Sequence, residues 1–412
     1  MKIEDIDWGS LEHAYGSAAD VPDMLRGLRA DDPKVRFNAR DGIHAALDHQ
    51  GVQRFESTFR AIPFLIEALS DPSTPERGEI ARLLAELAVG DTCWFLHDGV
   101  HRDLQMNVDD AARAQHCSQI TAKDFASRGF PRLPDNRLDL AEGSGLRWIY
   151  DAVAAGAPAY VAALDGADED LRVAIPFLCA FLTNDEAVAL TAPALERLLD
   201  DPSERVRASA ALGLSHATKF VPERWAHTFT VLASRWARDL GPLERRTLAL
   251  ALVRFEQPAR TAPMRAYVHA ELRAGVSKVI PGPTFPWFRT DSPPFLFCTT
   301  WIGTAADERD ELLAPGLAAL ATVEDRHDAA DLAVWIAKLW VPAPGVADAT
   351  VDGSDDLVVQ WSRADVGAEL HAVLTGLVAS PAAWHFTDLG NELRDRGLPS
   401  ARDALAAWLA AS

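Results

Sequence analysis

The sequence is poor in the residue types that mark several protein classes. It has four cysteines in 412 residues, and no two of them form a CxxC pair. This spacing excludes a disulfide-rich framework and favours reduced thiols. The longest apolar runs, such as residues 173–182, are about half of the ~20 residues that a membrane-spanning helix needs. The sequence therefore predicts neither a disulfide scaffold nor a membrane protein.

The N-terminal stretch lacks the pattern of a secretory leader. Residues 1–8 include Glu4, Asp5 and Asp7, where a signal peptide carries cations followed by an apolar segment. Together with the cysteine usage, this predicts a cytoplasmic location.

Positive charge is also scarce. Lys and Arg together number 40 against 60 Asp and Glu, which gives a formal net charge of -20, and only six of the 40 cations are Lys. Nucleic acids are held mainly by Lys and Arg that neutralise phosphates. The balance therefore weighs against a nucleic-acid partner and favours a protein or peptide partner that is neutral or basic.

The common strong signatures of catalysis are missing. No Walker motif, GxGxxG, GxSxG or HExxH occurs, and these are the motifs that place phosphates, dinucleotides, nucleophiles or zinc. We therefore predict no cofactor and no metal. The sequence leans against an enzyme but leaves catalysis undecided.

The most regular feature that is present is a helix start with an Arg, followed by apolar residues at fixed offsets. Counting from Val206, which precedes Arg207, positions +4, +7, +8 and +11 are Ala210, Gly213, Leu214 and Ala217. These offsets lie on one face of an α-helix. The same register begins at Val35, Glu76, Leu171, Glu244 and Asp325, and more weakly at Ala401. Seven copies predict a helical repeat protein.

The shorter intervals between these starts are 41, 35 and 38 residues, and a second apolar helix precedes several of them, as in residues 63–69 and 194–199. Each unit is thus predicted to be a helical hairpin. At residues 195–207 the sequence Leu-Glu-Arg-Leu-Leu-Asp-Asp-Pro-Ser-Glu-Arg-Val-Arg resembles the HEAT-repeat family. The resemblance implies an all-α, right-handed α-solenoid (armadillo-like) of about eight to nine hairpins over residues 1–412, with two or three insertions.

In that family the turn Asp and the helix-start Arg commonly bond between neighbouring repeats. The resemblance therefore implies structural roles for a set of acids and arginines. The set is Asp32, Arg36, Asp71, Arg77, Arg172, Asp201, Arg207, Arg245 and Arg326. Much of the Arg content would then be engaged in the scaffold.

The segment 91–145 departs from the repeat and is predicted to be an inserted loop region. It carries Trp94, His97 and His101, which are candidate binding residues. A metal site is an alternative because His and Cys are competent ligands. However, Gly99 falls between the two histidines and weakens a helical i,i+4 pair, so a loop packed on the scaffold is favoured.

The segment 278–302 is an interruption rich in proline and aromatic residues. Prolines at this density are incompatible with a continuous helix, and rigid aromatic side chains make good anchors for a partner. The alternative is that they fill a gap left by an irregular helix pair. The candidate binding residues are Phe285, Trp287, Phe288, Arg289 and Trp301. A third departure, 341–364, is predicted to be a loop between C-terminal repeats.

These features predict a HEAT-repeat protein that acts as a protein-binding or scaffold module through its concave surface and aromatic loops. The alternative is a HEAT-like enzyme or small-molecule binder with a pocket closed by the 91–145 and 278–302 segments. HEAT-like repeats also build certain DNA glycosylases and phycobilin lyases, which the chain resembles only at the level of the repeat. The motif specifies a fold, and function has to be argued from a site.

Overall fold

The computed structural model is all-α over the residues that it describes. Its strands there form only two short hairpins, one pairing Glu12–His13 with Gly16–Ser17 and one pairing Asp48–His49 with Gln53–Arg54. The described residues are 2–49, 51, 53–97, 99–100, 144–255, 257–276, 284–287, 292–304, 306–342 and 366–411. Residues 101–143 of the predicted insertion lie outside them. The predicted loop between C-terminal repeats, 341–364, also lies outside them except for residues 341 and 342.

The chain divides into two compact units. The first comprises Met1–Leu252 together with Pro281–Trp287, and the second comprises Val253–Ile280 and Phe288–Ser412. Each is described separately.

The first unit is built from helical pairs that follow one another along the chain. Its α-helices are α1 (Val21–Gly27), α2 (Pro33–Leu47), α3 (Glu56–Ser70), α4 (Arg77–Val89), α5 (Ser144–Ala154), α6 (Ala157–Ala163), α7 (Glu169–Ala180), α8 (Asp185–Leu198), α9 (Glu204–Thr218), α10 (Pro222–Trp236) and α11 (Pro242–Val253, whose last residue belongs to the second unit).

These helices pack in two rows. In row A, α1 contacts α3, α3 contacts α6 and α6 contacts α8, whereas in row B α2 contacts α4, α4 contacts α7 and α7 contacts α9. The rows contact each other within the pairs α1/α2, α3/α4 and α8/α9. The additional helix α5 packs against α3 and α4. The first helix of one pair thus packs against the first helix of the next pair, and the second helix against the second.

The apolar positions that the sequence predicts to face the core are buried in three of the predicted helices. The apolar positions that follow Arg77, Arg172 and Arg207 lie on α4, α7 and α9, and Ile80, Ile175 and Ala210 are all buried. Short polar side chains fix several helix starts, since a capping oxygen satisfies a free N–H of the first turn. The caps are Asp32 on Lys34 N, Asp168 on Leu171 N and Ser203 on Val206 N.

The second unit repeats the two-row arrangement with α12 (Pro258–Ala274), α13 (Pro293–Ile302), α14 (Leu313–Thr322), α15 (Arg326–Trp340), α16 (Ala368–Ala379), α17 (Asp388–Asp395) and α18 (Arg402–Ala410). One row is α12, α14, α16 and α18, and the other is α13, α15 and α17.

Helix α13 lies inside the segment that was expected to interrupt the repeats up to residue 302. The interruption therefore ends earlier than predicted. The physical reason is the position of the prolines: Pro293 and Pro294 occupy the first turn, where no N–H is needed for a helical bond. Ser292 caps the helix by accepting from Phe295 N.

Across the described ranges, no helix combines the length and the apolar character required to cross a bilayer.

Candidate functional site

Two of the predicted binding aromatics lie in the core of the first unit. Phe285 and Trp287 are buried, and Trp287 has none of its surface exposed. Both therefore occupy a gap between helices, which was the alternative considered for them. As placed here they are not offered to a partner, which corrects the expectation that this pair forms an exposed contact.

Trp287 joins α7 to α9. Its ring meets Phe177 edge to face, with centroids 5.1 Å apart, and meets His216 at the same separation in a tilted arrangement. Its indole Nε1 donates to Ser209 Oγ at 2.8 Å, and Ser209 donates to Val173 O at 2.7 Å. A buried indole N–H needs such an acceptor, so the position of the ring is determined by both packing and hydrogen bonding.

Thr284 holds the start of the same segment against the N-terminal ends of α7 and α9. Its hydroxyl donates to Asp170 Oδ1 at 2.7 Å and accepts from Arg205 Nη2 at 2.5 Å. Arg205 also pairs with Glu169 at 2.9 Å. Residues 284–287 are thus anchored from Thr284 near the N-terminal ends of α7 and α9 to Trp287 along both helices.

The beginning of the predicted insertion reaches the same helix. Leu96 O lies 2.9 Å from His216 Nε2, and Val100 O accepts from Thr183 Oγ1 at 2.8 Å. The other ring nitrogen, Nδ1, lies 2.8 Å from Leu212 O. Leu96 and Trp287, which are far apart in sequence, therefore meet at His216.

The remaining candidate binding residues are placed as follows. Trp94 lies in the 3₁₀-helix Thr92–Phe95, and His97 is half-buried. Trp301 belongs to the second unit, where the Arg309 guanidinium lies 4.0 Å from its ring centroid. His101, Phe288 and Arg289 lie outside the described residues. Among those described, no group of three or more His, Cys, Asp or Glu side chains is placed to hold a metal.

Three of the helix-start arginines in row B bond to a carboxylate of the next helical pair. Arg36 donates to Glu76 at 2.6 Å, Arg172 to Asp201 at 2.8 Å, and Arg207 to Glu244 at 2.8 Å. Each also donates to carbonyl oxygens of the turn before its own helix, as Arg207 does to Asp201 O at 2.8 Å. The carboxylate partner therefore comes from the following helical pair rather than from the same turn.

The other predicted structural residues have varied partners. Asp71 accepts from the N–H and hydroxyl of Ser73, and these bonds lower the pKa of the Asp71 carboxyl. Arg77 is buried at the start of α4. Arg245 donates to Trp236 O at 3.2 Å, with its guanidinium 4.6 Å from the centroid of that ring. In the second unit, Arg326 Nη1 lies 3.4 Å from His385 Nε2.

Row B differs sharply in exposure along its length. In α7 every residue from 173 to 180 is buried, and in α9 every residue from 208 to 218 is buried. A helix in a two-row stack keeps one side free unless something else covers it. Leu96 and Trp287 supply part of that cover for α9.

The helices α2 and α4 keep a side open. On α2 the exposed residues include Phe37, Asp41 and His44, and on α4 the residues that are not buried are Glu79, Arg82 and Glu86. Each trio lies on one helical face by its spacing, and His44 Nε2 lies 3.7 Å from Glu86 Oε2. We call these six residues the open face. With three acids and one arginine, it is acidic.

The open face borders a buried ion pair that sequence reasoning missed. Asp48 and Arg54 are 1% and 2% exposed, and Arg54 Nε lies 3.3 Å from Asp48 Oδ1. Burial raises the pKa of the Asp48 carboxyl, while Arg54 and His44 oppose that shift. Burial also lowers the pKa of Arg54. A signal for this part of the molecule was Phe37, an aromatic residue at a position of α2 outside the apolar register.

No protein-family model matches this chain, and no curated protein matches it. Among solved structures, the crystal structure of an engineered protein is similar over 92% of this chain and 98% of that chain, with 13% sequence identity and a TM-score of 0.34. A likeness this distant identifies neither family nor function. The site is therefore interpreted from its own residues.

Proposed function

We propose that this chain is a HEAT-like repeat protein that binds a protein partner through the open face of α2 and α4. The two-row packing and the series of arginine–carboxylate bonds between successive pairs support the first half of this proposal. The count of eight to nine pairs and the right-handed stack stay predictions from the sequence.

The observation that carries the proposal is the contrast within row B. Residues 173–180 and 208–218 are buried, whereas α2 has exposed side chains and α4 has partly exposed ones along one face. Phe37 is 58% exposed and is one of four large apolar side chains that are exposed among the described residues. An exposed aromatic beside charged groups is typical of an interface anchor with a polar rim.

The charge of the open face favours a basic partner. Asp41, Glu79 and Glu86 outnumber Arg82, and the whole chain carries -20. Complementary charge mainly raises the association rate and selects the partner. We therefore expect a partner with an apolar contact flanked by Lys or Arg, and an association that weakens as salt is added.

The experiment compares two double variants of the full chain as immobilised bait. Phe37→Ala with Asp41→Lys alters the open face. Leu190→Ala with Glu186→Lys makes the same change in charge and an equivalent loss of exposed apolar surface, four residues apart on α8, where both side chains are exposed.

We expect proteins captured by the wild type to be retained by the α8 variant and depleted about tenfold by the α2 variant, a loss of about 1.4 kcal/mol. Quantitative mass spectrometry of the bound fraction measures this. Equal recovery by both variants, with both proteins folded, would show that the open face is not the binding surface.

An enzyme or small-molecule binder is the second candidate, favoured by the meeting of Leu96 and Trp287 at His216. Both ring nitrogens of His216 lie within hydrogen-bond distance of backbone carbonyls, so the ring is engaged in holding the chain. This candidate predicts that a metabolite mixture raises the melting temperature of the wild type but not of Trp287→Phe. An unchanged melting temperature in the wild type would count against it.

A further inference from the structure

The end of the open face carries a cluster of ionisable groups from three separate chain segments. His44 and Asp48 lie at the end of α2, Glu86 lies near the end of α4, and Arg54 belongs to the short hairpin that follows α2. His44 Nε2 is 4.0 Å from Asp48 Oδ2 and 3.7 Å from Glu86 Oε2. His44 therefore stands between two carboxylates.

Asp48 is the unusual member of this cluster. Its side chain is 1% exposed, yet neither carboxylate oxygen accepts a hydrogen bond. Arg54 Nε lies 3.3 Å from Asp48 Oδ1, but the two atoms do not have hydrogen-bond geometry, and this nitrogen makes no hydrogen bond. Burying a charged oxygen without a hydrogen bond is costly. A donor that reached Oδ2 from the side of His44 would remove that cost.

The charged groups around Asp48 also favour the binding of a cation. Burial raises the pKa of the Glu86 carboxyl, and Asp48 and Asp91 add to that shift, while His44 and Arg82 oppose it. Asp91 acts on Asp48 in the same direction. Three carboxylates thus lie near one another, with Arg54 and Arg82 as the cations that face them and the half-exposed ring of His44 between two of them. A further positive charge placed among them would be stabilised by all three acids.

We propose that the cluster of His44, Asp48 and Glu86 binds the cationic head of a Lys or Arg side chain from a basic peptide segment of the partner. The inference deepens the proposed function and rests on it. The cationic group enters beside His44 and donates a hydrogen bond to the Glu86 carboxylate. When the ring of His44 moves aside, it also donates to the Asp48 carboxylate.

A peptide fits this surface better than a lone cation. On α2 the open face and the cluster run from Phe37 to Asp48, which at 1.5 Å per residue is roughly 16 Å. An extended peptide covers that distance with about five residues. An apolar residue of such a peptide, a few positions away from the cationic residue, can pack on Phe37 while the cationic residue reaches Glu86.

The test measures binding of a fluorescein-labelled hexa-arginine peptide to the full chain by fluorescence anisotropy. Glu86→Gln removes one charge from the cluster and keeps the side-chain shape. The matched control is Glu186→Gln on α8, where Glu186 is exposed. We expect the dissociation constant to rise about tenfold for Glu86→Gln and less than about twofold for Glu186→Gln.

A second measurement locates the peptide. A hexa-arginine peptide with a central benzoylphenylalanine is photo-crosslinked to the wild type, and digestion products from α2 or α4 are expected to carry the adduct. Melting temperatures of both variants check that each is folded. Equal loss of affinity in the two variants, or adducts confined to other helices, would overturn the cluster as the binding site.

The outcomes separate this inference from the proposed function. If partner capture depends on Phe37 while the peptide is indifferent to Glu86, only the cationic site is wrong. If the α2 and α8 double variants also capture equally, the open face itself is excluded.

Discussion

At Trp287, one side chain links two helices of row B. Its ring packs on Phe177 and His216, and its N–H reaches Ser209. Trp287→Ala should lower the free energy of unfolding of the first unit by about 3–5 kcal/mol, because it leaves a cavity and removes the hydrogen bond to Ser209 Oγ. Trp287→Phe keeps an aromatic ring and should cost less.

Urea denaturation followed by circular dichroism gives both values. A loss under about 1 kcal/mol for the alanine variant would mean that Trp287 contributes little to the packing of α7 on α9.

A single histidine in the second unit should make its stability sensitive to acid. His269, on α12, is buried, and its Nε2 has no hydrogen-bond partner. Burial lowers its pKa from the ordinary 6.5, Arg273 and Arg265 lower it further, and Glu311 opposes them. As pH falls below that ordinary value the unfolded chain takes up a proton that the folded chain refuses, so stability is lost on acidification.

We expect the melting temperature of the wild type to fall more steeply than that of His269→Gln between about pH 7.5 and about pH 5.5. Differential scanning calorimetry of both proteins measures the difference. Parallel pH profiles would show that His269 does not titrate differently on folding.

At the scale of elements, the same repeat position accommodates a side chain larger than glycine in one helix but not in another. Gly42 of α2 and Gly213 of α9 both occupy offset +7 of the repeat. A Cβ on Gly213 would lie 2.4 Å from Pro176 O of α7, whereas a Cβ on Gly42 would meet only the flexible end of Met24, at 3.2 Å. The close crossing of α7 and α9 therefore depends on Gly213.

Gly213→Ala should lower the free energy of unfolding by about 1–3 kcal/mol despite the better helix propensity of Ala. Gly42→Ala should be neutral or stabilising by up to about 1 kcal/mol. Chemical denaturation of the two variants tests this pair, and equal effects would contradict the difference in packing.

The elements themselves were the predictable part of this protein. The apolar offsets after Arg77, Arg172 and Arg207 depend only on the 3.6-residue period, so the sequence locates α4, α7 and α9. The carboxylate partners of Arg36 and Arg207 were not predictable, because Glu76 and Glu244 come from the next pair. Which way the segment around Trp287 turns also depends on contacts with residues far away in sequence.

At the scale of the molecule, the sequence could not show which residues from distant parts of the chain lie together. Leu96, His216 and Trp287 lie in three distant stretches, and nothing in their spacing indicates that they meet. His44, Asp48 and Glu86 likewise look like ordinary polar residues of a helix surface. The composition did predict the negative charge of the open face, since Asp and Glu outnumber Lys and Arg in the chain.

The uneven cover of row B also implies a gradient of local opening along the first unit. Amide protons in the buried part of α9, residues 208–218, should exchange with deuterium only at rates near those of global unfolding, whereas those of α2, which keeps exposed residues along one face, should exchange through local opening. A partner bound to α2 would then have to hold a less stable pair of helices closed. Recognition would be detectable as slowed exchange there, even where no side chain touches the partner.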